Sequence, residues 1–463
     1  MTALGAVFKA YDVRGTVPDQ LDARACHAIG WSFARFAGTR RVLVARDMRD
    51  SGEELAGAFA AGARTAGVDV VDLGLASTDM MYFASGRLDA PGAMFTASHN
   101  PAGYNGIKMC LAGARPVGQD TGLSDIRVEA EGALTSGADR GTETGSYERQ
   151  GLLDEYADHV RSFIDVAALA PLRVVADTAN GMGGLVVPEV FAGLPVELEI
   201  LFPELDGSFP NHPADPIQPE NLRDLKSAVL RAGADVGLAF DGDADRVFLV
   251  DEQAETVSGS LTTALVARAM LLKNPGATVL YNLICSKVVP ETIEQYGGTA
   301  VRTRVGHSFI KQVMAETGAV FGGEHSGHYY FRDNYRADSG LIAALVVLEE
   351  LSREGVPLSD LLAPFRRYAD SGEINTEVDD PHQAVEALAE HFAAEGLTGD
   401  RTDGLTVDLG DWWFNVRPSN TEPLLRLNVE AGSVQECDSH TQELLDLVGK
   451  VSGGPAGAPG ADR

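Results

Sequence analysis

Short β-rich runs alternate with amphipathic stretches along most of the chain. Residues 41–46 (RVLVAR), 68–73 (VDVVDL) and 93–96 (AMFT) are apolar and β-branched, and 53–66 between the first two has helical periodicity. The order is strand, helix, strand, helix, strand. A second set follows at 173–176 (RVVA), 196–201 (VELEIL) and 235–240 (DVGLAF), and a third at 278–283, 299–303 and 319–321. The pattern predicts an α/β protein built from three similar units in tandem with mixed sheets. An amphipathic helix over 341–351 and a short follow-on helix close the third unit, and a smaller α+β domain is expected beyond them. The expected boundaries are 1–145, 146–250, 251–368 and 369–451. The Gly- and Thr-rich stretch 131–145 (EGALTSGADRGTETG) reads as a hinge, and 452–463 (SGGPAGAPGADR) as a disordered tail.

A length of 463 residues suits about three or more domains, and 44% hydrophobic with 22% charged residues is the composition of a globular enzyme. Lys and Arg total 37 against 67 Asp and Glu, a formal charge of −30. A field of that sign repels nucleic acid and anionic lipid, so neither is an expected partner. An anionic small substrate would require a locally basic pocket. Cys26, Cys110, Cys285 and Cys437 lie far apart with no metal-ligand spacing, as in a reduced cytoplasmic protein. No secretory signal is readable in 1–15, and the apolar run 341–348 is too short for a bilayer. The sequence indicates no obligate protein partner.

In each α/β unit the third strand runs into a polar loop: 96–101 (TASHNP), 241–246 (DGDADR) and 323–328 (GEHSGH). Open parallel sheets bind ligands beyond the carboxyl ends of their strands, so three such loops are placed to converge on one cleft. A fourth polar loop, 417–423 (RPSNTEP), lies in the C-terminal domain. Asp241, Asp243 and Asp245 alternate, and three carboxylates this close repel unless a hard cation neutralises them, which indicates magnesium. A solvated acidic turn is the ordinary alternative. A calcium EF-hand would place Glu252 at its last position, but Arg246 stands where that loop needs Gly and both flanks read as strands.

Ser98, before His99, Asn100 and Pro101, shapes a turn or caps a helix on its ordinary reading. Beside a magnesium site, a phosphoryl group on Ser98 would supply a further oxygen ligand. A serine hydrolase with His99 as base lacks the G-x-S-x-G elbow. Arg417, Ser419, Asn420 and Thr421 offer a guanidinium, two hydroxyls and backbone N–H groups to phosphate oxygens, or form a polar proline-flanked turn. Glu324, Ser326 and His328 suit sugar hydroxyls, or form a Gly-rich turn.

These four loops in this order, with 8–15 (FKAYDVRG), resemble the α-D-phosphohexomutase superfamily, and within it the phosphomannomutase/phosphoglucomutase group. The resemblance extends from Tyr11 to Pro423 and covers every principal motif. It implies four domains around a central cleft and reversible transfer of a phosphoryl group between the 1- and 6-hydroxyls of a hexose. Phosphorylated Ser98 would donate to the free hydroxyl, a hexose 1,6-bisphosphate would turn over in the cleft, and the other phosphate would return to Ser98. Magnesium would sit on Ser98, Asp241, Asp243 and Asp245, with Arg246 as a second cation. The resemblance makes Lys108 (in NGIKMC) and His307 (in VGHS) acid/base candidates beside Arg14, and Tyr11 and Lys287 substrate contacts. Residues 282–287 (NLICSK) depart from the basic stretch of some members. The implied substrate is a mannose phosphate, with glucose phosphates also accepted. The rivals are a phosphoglucomutase, a magnesium-dependent phosphatase or kinase, and a sugar-phosphate sensor; no P-loop or kinase signature is present.

Overall fold

The computed structural model describes residues 4–419 and 424–452, except for the side chains of residues 307, 308, 451 and 452. Three of its sheets share one strand order. In the first, Asp69–Leu75, Arg41–Arg46, Gly92–Phe95 and Tyr104–Leu111 lie side by side, the first three parallel and the last antiparallel. The second repeats this with Val196–Leu201, Leu172–Asp177, Val236–Phe240 and Val247–Asp251. The third does so with Thr299–Thr303, Thr278–Asn282, Phe321–Gly323 and Tyr329–Phe331. The tandem units read from the hydrophobic pattern are therefore one topology used three times. In each, the third and fourth strands form a hairpin whose loop emerges beyond the carboxyl ends of the parallel strands.

The first sheet also takes in Val13–Thr16 and, past the expected boundary at 145, Tyr147–Arg149. The second closes with Thr256–Val257. The fourth sheet is wholly antiparallel, in the order Ala369–Glu377, Leu424–Ala431, Trp412–Pro418, Leu405–Asp408. Helices Pro381–Ala394 and Val434–Ser452 pack with it around Leu388, Phe392, Phe414 and Leu427.

The three α/β units share a continuous core that includes Leu43, Met94, Val174, Leu238, Val279 and Phe321. At its centre lies Gly340–Glu354, buried on every side over residues 340–351, which explains the uninterrupted apolar run. Its Glu349 is inside the core and is matched by Lys273 at 2.5 Å, Arg353 at 2.8 Å and the Asp165 N–H at 3.0 Å. A charge at such depth requires partners of this kind. The C-terminal domain keeps a separate core.

Two local expectations need correction. The hinge over 131–145 begins inside helix Leu123–Ser136, and Asp139 is buried and paired with Arg24 and His27, so this segment is tied down. Of the tail expected over 452–463, Ser452 belongs instead to the last helix; residues 453–463 lie outside the described residues.

Candidate active site

The loop after Gly92–Phe95 carries Ser98 at φ +50°. A non-glycine residue rarely adopts the left-handed region, and its cost is tolerated where the surroundings over-determine the backbone. Here Thr96 Oγ1 accepts the Ser98 N–H at 2.8 Å, and Ser98 Oγ donates to Asp241 Oδ2 at 2.8 Å. The 241–246 loop approaches so closely that a Cβ on Gly242 would lie 2.4 Å from the Ser98 carbonyl oxygen. Glycine is required there by contact rather than by dihedral angle.

Asp241, Asp243 and Asp245 are buried, with one ligand atom from each within 4.8 Å of the others. Lys108 Nζ donates to Asp243 Oδ2 at 2.8 Å and Asp245 Oδ2 at 2.6 Å, and Arg246 Nε donates to Asp241 Oδ2 at 2.9 Å. Burial pushes Asp241 above the usual carboxylate range despite Arg246. Burial acts the same way on Asp243, but the Lys108 ammonium outweighs it and holds that group well below the range. Asp243 Oδ1 and Asp245 Oδ1 remain buried with no hydrogen-bond partner. Two buried carboxylate oxygens without a hydrogen bond, the second with only His328 Nδ1 at 3.8 Å, grouped with a third carboxylate that a serine hydroxyl contacts, fit a hard divalent cation. The EF-hand reading fails, because Glu252 lies beyond strand Val247–Asp251 and accepts the Ser359 N–H at 3.1 Å. A second acidic grouping, Asp245, His328 and Asp338, already has a cation in Lys311, 3.1 Å from Asp338.

Tyr11, Arg14, Ser98, Lys108, Arg246 and His328 all line one cleft of about 760 Å³. Lys9 and Arg127 line it as well, giving the basic pocket that an anionic substrate requires in so acidic a chain. Arg14 Nη1 donates to Asn100 Oδ1 at 2.8 Å, and the Tyr11 hydroxyl donates to the Val305 carbonyl of the third unit at 3.3 Å. His99 Nδ1 accepts from Arg246 Nη2 at 2.6 Å. Arg246 and burial together hold His99 well below the usual histidine range, so it is a neutral acceptor already engaged. Burial pulls His328 down, but Asp245 and Asp338 prevail and raise it.

Other predicted residues sit apart from this cluster. Glu324 is buried, its carboxylate accepting from Tyr330 OH at 2.5 Å and Asn282 Nδ2 at 3.2 Å; Ser326 is half-buried in the same loop. Lys287 reaches the C-terminal domain instead, donating to Asp408 at 2.7 Å and the Gly410 carbonyl at 2.8 Å. Arg417 donates to Asn415 at 3.0 Å and Asn428 at 2.9 Å and pairs with Glu373, all within its own domain. Ser419 N–H closes the base of its loop onto the Leu424 carbonyl at 2.8 Å. Asn420 and Thr421 lie outside the described residues, as does the side chain of His307, which opens helix His307–Thr317.

Sequence reasoning did not single out Thr78. Its Oγ1 donates to Asp243 Oδ2 at 2.5 Å and its N–H to the Asp243 carbonyl at 3.0 Å, so the first unit holds a carboxylate of the second. Asp47 and Arg49 were missed too. Their signal was positional, since both follow the end of a parallel strand, where functional loops gather.

A strained serine against a buried acidic triad, at the floor of a basic cleft between α/β units, defines an enzyme of phosphoryl transfer. Four family descriptions match in succession. They are phosphoglucomutase/phosphomannomutase alpha/beta/alpha domain I at 5–132, domain II at 154–255, domain III at 258–368 and the C-terminal domain at 373–447. The chain belongs to the phosphoglucomutase/phosphomannomutase family. It is 40% identical over 449 residues to a phosphomannomutase of Escherichia coli K12, covering 95% of this chain and 98% of that one. It is also 40% identical over 444 residues to a protein named phosphohexose mutases from Xanthomonas campestris, with coverage of 95% and 98%. A phosphoglucomutase/phosphomannomutase family structure from Burkholderia thailandensis superposes with a TM-score of 0.86 at 33% identity, covering 96% of this chain and 97% of that one.

Proposed function

We propose that this chain is a phosphomannomutase that interconverts mannose 6-phosphate and mannose 1-phosphate and also turns over glucose phosphates. The observation that carries the reading is Ser98 Oγ, 2.8 Å from Asp241 at the floor of the basic cleft. In the forward half reaction the bond from phosphorus to Ser98 Oγ breaks and a bond to the free sugar hydroxyl forms, leaving a 1,6-bisphosphate. The intermediate then presents its other phosphate, and Ser98 Oγ takes that group back. Arg14 and Arg246 offset the charge of the transferring group from the cleft side. Lys108, with Nζ 2.8 Å from Asp243 and 2.6 Å from Asp245 and lining the cleft beside Ser98, is assigned to proton transfer at the departing oxygen. His307 is the candidate for the opposite transfer. Asp241, Asp243, Asp245 and the Ser98 phosphoryl oxygens would hold magnesium, which when bound stabilises charge on the equatorial oxygens of that group. Glu324 and Ser326 are assigned to sugar hydroxyls, and Lys287, Arg417, Ser419, Asn420 and Thr421 to the non-reacting phosphate.

A coupled assay without ATP, comparing mannose, glucose and glucosamine 1-phosphates, tests the proposal. Turnover of the first two, with glucosamine 1-phosphate poor, is expected. A clear preference for glucosamine 1-phosphate, or release of inorganic phosphate in place of the 6-phosphate, would overturn it.

A further inference from the structure

Arg49 is completely buried behind the Ser98 loop and touches no part of the cleft surface. Its guanidinium has five N–H donors in a rigid plane, and each meets an oxygen. Nε donates to Asp47 Oδ2 at 3.2 Å. Nη1 donates to the carbonyls of Pro101 at 2.8 Å and Tyr104 at 2.9 Å. Nη2 donates to the carbonyls of Ser98 at 2.9 Å and Asn100 at 2.6 Å. Asp47, also fully buried, accepts the Arg49 N–H at 3.0 Å and so fixes the fork at its root. The Phe209 ring, from a loop of the second unit, lies 5.2 Å from the guanidinium carbon.

Four carbonyls gathered on one cation from within determine which way the loop backbone faces. Ser98 is one of them, and its unfavourable φ of +50° is maintained while its carbonyl is held inward. Resting on the phosphoserine mechanism proposed above, we infer that Arg49 is a positioning residue for the nucleophile, pinning the Ser98 loop so that Oγ stays in register with the Asp241 carboxylate in both half reactions. A lysine cannot substitute, because a point charge with three donors cannot reach four carbonyls and a carboxylate in one plane.

The test compares the parent enzyme with Arg49→Lys, each shown folded by its melting curve. Expected for Arg49→Lys is a fall in kcat of ~10-fold or more with KM changed less than ~3-fold, because geometry at the reacting oxygen is lost while sugar contacts remain. Amide hydrogen exchange should accelerate in a peptide spanning 96–105 and stay unchanged in the strands behind it. A role in the core alone would lower the melting temperature without this split or this local signature. Should Arg49→Lys fail to fold, Asp47→Asn, which frees the guanidinium from its root, is read the same way with the same direction expected. A folded variant with parental kcat and parental exchange over 96–105 would overturn the inference. If the parent itself turned over no hexose phosphate, the mutase reading would fail, while exchange over 96–105 would still decide the role of Arg49.

Discussion

At the scale of single residues, the site depends on close approach as much as on charge. Replacing Gly242 by Ala places a methyl group 2.4 Å from the Ser98 carbonyl oxygen, so the two loops must separate. We expect kcat to fall by roughly 10- to 100-fold with little change in KM, measured on the folded variant, since a shift of about 1 Å at a reacting atom has that effect. Asp243→Asn removes charge where the proposal places magnesium, and its turnover should fall by ~100-fold or more at saturating magnesium. Unchanged turnover at every magnesium level would move the metal elsewhere. Ser98 and the three aspartates were legible in the sequence because each belongs to a short motif with unusual local chemistry. Arg49 and Thr78 were not, because their roles come from partners far along the chain. Arg49 meets carbonyls 49 to 55 positions away, and Thr78 meets a carboxylate 165 positions away.

Among the elements, the nine runs expected as strands all formed within a residue or two, because each is apolar, short and bounded by helical periodicity. The 131–145 stretch was misread because its small polar residues conceal the end of a helix, whose stability comes from packing Ile126, Ala130 and Ala133 rather than from propensity. Helices Thr78–Leu88 and Leu153–Arg161 meet the third unit at a buried seam. There Asp79 accepts from Ser77, from Tyr156 OH at 2.5 Å and from Ser339 Oγ at 2.7 Å. Burial raises Asp79 to about 6 despite these donors. A carboxyl raised in the folded state binds its proton more tightly there than in the unfolded chain. Its contribution to stability is therefore complete below about pH 4 and is lost as pH rises through about 6. Relative to Asp79→Asn, the parent should lose about 2 kcal/mol between pH 4.5 and 7.5, read from denaturant melts. A pH-independent difference would show that Asp79 is ionised throughout.

The whole molecule brings three equivalent hairpin loops to one cleft, and that convergence was readable from the order of motifs, although the distances were not. The C-terminal domain was less legible. Its seam with the third unit uses Glu430, which accepts from Trp413 Nε1 at 2.7 Å and the Lys287 N–H at 2.9 Å, contacts without a sequence signature. In this arrangement Arg417 is satisfied inside its own domain. Arg417→Ala should nevertheless raise KM more than it lowers kcat if the 417–423 loop holds the phosphate that is not reacting; equal kinetics would place that clamp elsewhere. In the proposed mechanism Ser98 carries the group that moves. Enzyme bearing a radiolabelled phosphate on Ser98, mixed with excess mannose 1-phosphate and quenched within one turnover, tests it most directly. Label is expected to leave the protein at the rate of turnover and to appear in hexose bisphosphate and then hexose phosphate. Label that stays on the protein while product forms, or that leaves as inorganic phosphate, would contradict it.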